Sequence, residues 1–241
     1  MTSEPAAPAD RRAELSANLS EVRARIAGAC AAAGRHSEEV TLIAVTKTFP
    51  VSDIQLLSEL GIADVGENRD QEAAPKAARC AALQLPLTWH FVGQLQTNKS
   101  ASVVSYADVI HSVDRLRLVS VLGSRARAAG RSLTCLVQVS LDGDPGRGGV
   151  RPDHLAAVAD AVAGQDGLVL GGVMAVSPLG VPAAAAFGKL RELAEIVRSA
   201  HPGAVMISAG MSADLAEAIG AGATHVRVGT ALLGGRQAFV R

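Results

Sequence analysis

Lys47 is the residue best placed to do chemistry. It follows the apolar run Leu42–Val45 and Thr46, and it precedes Pro50, which opens the next helical segment. An ammonium beside a hydrophobic strand is costly to desolvate, and burial lowers a lysine's pKa. Such a lysine can act as an amine nucleophile and form a Schiff base with an aldehyde. It can equally well snorkel to solvent from the strand end, and position alone leaves both readings open. A second group, Ser208-Ala209-Gly210-Met211-Ser212 with Gly229-Thr230, has the parts of a phosphate site. Gly210 and Gly229 let the backbone approach an anion, Ser208 and Thr230 offer hydroxyls, and helix starts add free N–H groups with a favourable dipole. Ordinary helix capping by Ser212 and Thr230 is the plainer account of the same residues. Arg227 lies two residues before Gly229, on the same strand face. Inside a fold it needs a partner, either a neighbouring carboxylate or an acceptor on a ligand. A nucleophilic lysine, a phosphate cup and an arginine together suggest a phosphorylated aldehyde, and pyridoxal phosphate is the obvious one. Aldolases on barrels also use lysine, so a phosphosugar-binding barrel enzyme without that cofactor stays open.

Other polar residues carry less. His90 follows the only Trp, and a satisfied core histidine is its commoner role. The six histidines show neither H-E-x-x-H nor His-x-His, which argues against a metal site. Residues 143–149 lack the Walker lysine and the G-x-G-x-x-G spacing, so a flexible loop is the better reading there. Glu67 and Asp114 are candidate acids with no visible partner, and no Ser-His-Asp arrangement can be argued.

These residues need elements to bring them together. Leu15, Leu19, Val22, Ile26 and Cys30 form one stripe of a helix over about 10–33, stopped at Gly34. Short apolar runs follow at 41–45, 62–65, 88–92, 107–110, 134–139, 168–175, 204–207 and 224–228. Amphipathic segments lie between them, such as Leu155-Val158-Ala159-Val162 and Phe187-Leu190-Ala194-Val197. Continuous apolar runs fit buried parallel strands, and strict alternation with helices predicts a parallel sheet. Eight units in about 200 residues suggest a closed (β/α)8 TIM barrel, with a doubly wound open sheet as the alternative. Lys47 and the two Gly loops then sit at strand C-terminal ends, where barrels place their chemistry.

Composition narrows the class. The chain has 241 residues and a formal net charge of zero, with 49% hydrophobic and 19% charged residues. Balanced charge argues against a nucleic-acid partner, and the hydrophobic content argues against disorder. Aromatics are only 2%, so the core must be built from Leu, Val, Ile and Ala. Cys30, Cys80 and Cys135 form neither a disulfide framework nor a zinc module, and a reducing cytoplasm fits. Residues 1–12 lack the apolar run of a signal peptide, and 167–188 is too broken by Gly and Pro to span a membrane. The expected organisation is a mobile tail at 1–9 and a single domain at 10–241.

The motifs, taken in order, resemble the pyridoxal phosphate homeostasis protein family (YggS/PROSC-like), itself similar to the barrel domain of alanine racemase. They are Ala44-Val45-Thr46-Lys47-Thr48, Gly66-Glu67-Asn68, Trp89-His90-Phe91-Val92-Gly93, His111-Ser112-Val113-Asp114, Gly210-Met211-Ser212-Ala213-Asp214 and Val226-Arg227-Val228-Gly229-Thr230. The resemblance implies an alanine-racemase-like (fold type III) barrel with an extra N-terminal helix. It implies that Lys47 carries pyridoxal 5'-phosphate as a Schiff base and that Arg227 approaches the pyridine nitrogen. Ser208, Gly229 and Thr230 would hold the phosphate, with Asn68, His90 and Met211 around the ring. Arg69 stands where the family often has an aromatic. The second, β-rich racemase domain has no counterpart here, and the only tyrosine, Tyr106, is expected to begin the fourth strand, far from Lys47. The implied role is therefore a cytoplasmic, monomeric carrier that buffers the cofactor and supplies it to apo-enzymes. A weakly active racemase-like enzyme, with Lys47 as its base, is the alternative.

Overall fold

The computed structural model of the chain describes residues 8–144 and 148–235. After α1 (Pro8–Ala32), eight strands alternate with helices. They are β1 (Thr41–Val45), α2 (Val51–Glu59), β2 (Asp64–Glu67), α3 (Asp70–Ala82), β3 (Thr88–Phe91), α4 (Ser100–Tyr106), β4 (Val109–Val113), α5 (Leu116–Ala128), β5 (Leu133–Gln138), α6 (Leu155–Ala163), β6 (Leu168–Met174), α7 (Ala183–Ala200), β7 (Met206–Ser208), α8 (Leu215–Gly220), β8 (His225–Val228) and α9 (Thr230–Leu233). The strands pair in parallel in chain order, and β8 closes on β1 through the register Thr41–His225 to Ala44–Val228. This is the closed eight-stranded parallel barrel that the alternation of apolar runs predicts, and the open sheet is excluded.

Two layers hold it. The main core lies between the strands and α4–α7, built from residues such as Ile110, Leu122, Val137, Val162, Phe187 and Leu190. The stripe Leu15, Leu19, Val22, Ile26 and Cys30 is buried and packs α1 against Leu215, Ile219, Leu232 and Leu233. Each of those leucine-sized side chains contributes roughly 1.5–3 kcal/mol on burial. Polar bonds reinforce this join and also tie α1 to Asp53 of α2. Arg11 donates to Asp53 (2.6 Å) and to the Leu233 carbonyl (3.0 Å), and Arg35 donates to the carbonyls of Ile219 and Ala223 at the end of α8.

Some expected boundaries move. Helix α1 begins at Pro8, so residues 8 and 9 belong to it, while residues 1–7 of the expected tail lie outside the described residues. Residues 145–147 of the Gly-rich loop lie outside them too. Tyr106 closes α4 instead of beginning the fourth strand; its hydroxyl faces Asp70 Oδ1 at 3.4 Å and its ring meets Trp89 edge-on. Among the described residues, no helix is long and apolar enough to cross a membrane.

Candidate functional site at the barrel mouth

At the C-terminal mouth a cavity of about 440 Å3 is lined by Lys47, Thr48, Phe49, Asn68, Gly93, Met211, Ser212, Arg227, Gly229 and Thr230, among others. Six of the eight residues expected at the site thus share one cavity: Lys47, Asn68, Met211, Arg227, Gly229 and Thr230. They arrive from the ends of β1, β2, β7 and β8.

The backbone on either side of Lys47 is clamped. Before it, buried Thr46 donates its hydroxyl to Glu67 Oε1 (2.8 Å), and Lys76 Nζ bonds both that oxygen (2.7 Å) and the Thr46 carbonyl (2.9 Å). After it, Thr48 holds φ at +67°, unusual for a β-branched residue, and its N–H donates to Glu72 Oε2 (3.0 Å). Strain of this sort persists only where neighbours impose it, and it clusters at functional sites. Glu67 therefore has the partner that the sequence did not reveal. Its second oxygen, Oε2, is buried without one, and burial raises its pKa against the pull of Lys76 and Thr46. Asp114 likewise pairs with Arg115.

Two loops close the other side. Ser212 Oγ accepts from the Ala231 N–H (3.3 Å), tying the loop after β7 to the start of α9. Arg25 of α1 holds the Ser212 carbonyl (2.6 Å). Asp214, not Ser212, is the N-cap residue of α8, and its carboxylate takes the Met211 N–H (2.6 Å). Among the described residues, the backbone N–H groups of Ser212, Gly229 and Thr230 have no acceptor. All three residues line the cavity. The close approach at Gly210 is to α8: φ is +88°, and a Cβ there would lie 2.7 Å from that of Ala218. Gly93 has the strictest need. Its Cβ would overlap the carbonyl oxygen of Asn68. Gly93→Ala should push Asn68 off its place and cost roughly 1–3 kcal/mol by overpacking, read as a lowered Tm; an unchanged Tm would show that the loop yields freely.

Arg227 is buried at the cavity floor. Its NH1 donates to Ser208 Oγ (2.6 Å) and its NH2 to the Ala175 carbonyl (3.0 Å), so neither of these partners is a carboxylate. Burial draws its pKa down to about 10, against the favourable charge of Asp214. Ser208 and His90 do not line the cavity. Both are buried a layer deeper, with Ser208 bonded to Arg227 and His111, and His90 bonded to His111 and Asp64. Ser208, expected at the phosphate, and His90, expected at the ring, are thus engaged with partners inside the barrel. His111 and Asp64, for which no role was expected, complete that interior chain.

Three comparisons bear on this arrangement. Residues 14–237 match the family model described as alanine racemase, N-terminal domain. A Mycobacterium tuberculosis protein named pyridoxal phosphate homeostasis protein is 42% identical over 254 residues, covering 98% of each chain. The chain belongs to this family. Among solved structures, PipY of Synechococcus elongatus with pyridoxal phosphate bound superposes with a TM-score of 0.80 at 34% identity, over 91% of this chain and 100% of that one. Alanine racemase from Corynebacterium glutamicum shares the fold alone, with a TM-score of 0.69 at 13% identity over 95% of this chain and 63% of that one. The family is thus the one that the Lys47, Gly-Glu-Asn and Arg-Val-Gly-Thr motifs resemble.

Proposed function

We propose that this chain binds pyridoxal 5'-phosphate as a Schiff base on Lys47, buffers it and supplies it to apo forms of enzymes that need it. The observation that carries the reading is the convergence, in one cavity, of an amine, a charged donor and unpaired backbone donors. The residues fit the group. Lys47 offers the amine, Arg227 a donor for the ring nitrogen, and Ser212, Gly229 and Thr230 the N–H groups for a phosphate. When bound, the aldehyde supplies an electrophilic carbon on which a lysine amine condenses with loss of water. Arg227 beside the ring nitrogen disfavours its protonation, because two positive charges would meet. That suits holding a cofactor better than carbanion chemistry. Turnover of an amino acid in both directions would need a second base opposite Lys47, and Tyr106 is engaged with Asp70 away from the cavity. The reading extends to a cytoplasmic monomer.

The first test is an absorption spectrum before and after borohydride, with peptide mass analysis. A visible band that reduces to an adduct on Lys47 is expected; an adduct on another lysine, or none with added pyridoxal phosphate, overturns the assignment. A second concerns the phosphate. Thr230→Ala removes a hydroxyl, and a hydrogen bond to a charged group is worth roughly 1.5–3 kcal/mol. Affinity for pyridoxal phosphate should fall at least tenfold while affinity for pyridoxal changes little. Equal losses for both compounds would place the phosphate elsewhere.

A further inference from the structure

Behind the cavity, the barrel interior holds a line of polar side chains that begins at Arg227. Arg227 NH1 donates to Ser208 Oγ (2.6 Å); Ser208 Oγ meets His111 Nδ1 (2.9 Å); His111 Nε2 meets His90 Nδ1 (2.9 Å); His90 Nε2 meets Asp64 Oδ1 (2.9 Å). Arg227 lines the mouth, whereas Asp64 begins β2 at the opposite end and lines a cavity of about 500 Å3 beside α1. The chain therefore runs the length of the barrel. Every inner member is buried: Ser208 and His111 fully, His90 at 2% exposure.

The two ends fix its direction. A guanidinium only donates and a carboxylate only accepts. Ser208 has one hydroxyl proton, and its oxygen already accepts from Arg227. That proton must go to His111 Nδ1, which is then bare, so His111 carries its proton on Nε2 and gives it to His90 Nδ1. His90 in turn carries its proton on Nε2 and gives it to Asp64. Both rings are neutral, with the same tautomer, and every bond points from Arg227 towards Asp64. In the reverse direction the Ser208 hydroxyl would receive two donors, leaving its own proton buried with no acceptor among the described residues, at the cost of an unmade bond. Burial and the neighbouring His90 and Arg227 also hold His111 well below its usual pKa.

We propose that Asp64 is a positioning residue for the mouth, setting the tautomers of His90 and His111 and, through Ser208, the orientation of Arg227. The ring nitrogen of the bound compound then meets one fixed cation, with no imidazolium behind it. This last step rests on the function proposed above; the tautomer relay does not.

The test uses the full chain labelled with 15N-histidine, as wild type, Asp64→Asn and Asp64→Ala. Two-bond proton–nitrogen spectra of the unliganded protein read each ring, the other four histidines being assigned by single substitutions. In wild type both interior rings should be neutral with the proton on Nε2. Asp64→Asn keeps a carbonyl oxygen to accept that proton and should keep the pattern. Asp64→Ala should give mixed tautomers on both rings, including His111, which does not touch residue 64. In titrations with pyridoxal phosphate, Asp64→Ala should weaken binding at least threefold and Asp64→Asn should not. A proton on Nδ1 of either ring in wild type, or wild-type tautomers in Asp64→Ala, overturns the relay. Scrambled tautomers with unchanged affinity overturn the positioning role. Wild-type protein that has the expected tautomers but does not bind pyridoxal phosphate overturns the function and leaves the relay standing.

Discussion

Lys47→Ala is expected to abolish the visible absorption band and every borohydride-stable adduct, while leaving measurable binding of pyridoxal phosphate. The first effect is absolute, because among the described residues no other on the cavity wall carries an amine. The second follows from the separation of tasks around the mouth. The N–H groups of Ser212, Gly229 and Thr230 and the guanidinium of Arg227 belong to other strands' ends and do not depend on the amine. Hydrogen bonds to a charged group contribute roughly 1.5–3 kcal/mol each, enough to hold a phosphorylated ring without a covalent link. Dialysis of the loaded variant should strip it within hours, where wild type retains colour. The backbone of the loop should survive the change, since Thr46 and Thr48 are held by Glu67 and Glu72, not by the lysine side chain. A variant that still forms an adduct, or one that loses all affinity, would contradict this division.

Acid should weaken the fold through the buried imidazoles. Burial and the neighbouring His90 draw His225 down to about 4, with Asp64 pulling the other way. An unfolded histidine titrates near 6.5. Below that pH the unfolded chain takes up a proton that the folded chain refuses, so the stabilisation is present above pH 6.5 and is lost as pH falls towards 4. The shift is worth about 3 kcal/mol for this one residue. His111 acts in the same direction, and Glu67, whose carboxyl is more easily protonated when folded, acts in the opposite one. Urea unfolding at pH 7, 6, 5 and 4 should show the decline, and His225→Asn should flatten it. Wild-type and variant curves that run parallel would show that His225 does not carry the loss.

How far the sequence could be read depended on whether a position was apolar. The runs 41–45, 88–92 and 134–139 coincide closely with β1, β3 and β5, because continuous apolar stretches are what a two-sided burial demands. Strand β2 extends past its predicted end through Gly66 and Glu67, and β4 through His111 and Ser112, since Glu67, His111 and Ser112 are polar yet buried inside the barrel, where Glu67 bonds to Thr46 and Lys76 and His111 to His90 and Ser208. The mouth was legible for a related reason: a lysine and glycine-rich turns after strands stand out against Val and Ile. Depth was not. Ser208 and Arg227 both come at strand ends, yet only Arg227 reaches the cavity, and the linear pattern has no mark for the layer in which a side chain comes to rest. The misplacement of Tyr106 has a similar origin, for an aromatic ending a short helix looks like one beginning a strand.

The seam between β1 and β8, with α1 packed across α8 and α9, also bears on how the protein is made. Strand β1 leaves the ribosome before the other seven strands, and its neighbour β8 leaves after all of them. Until β8 emerges, any sheet the nascent chain forms is open, with two unpaired margins, and that is the form most prone to pair with another chain. Joining residues 41–45 to 225–228 is a contact of long sequence separation, and contacts of that reach slow folding. Closure of the barrel and completion of the ligand cavity are therefore the same event, because Arg227, Gly229 and Thr230 arrive with the strand that shuts the barrel.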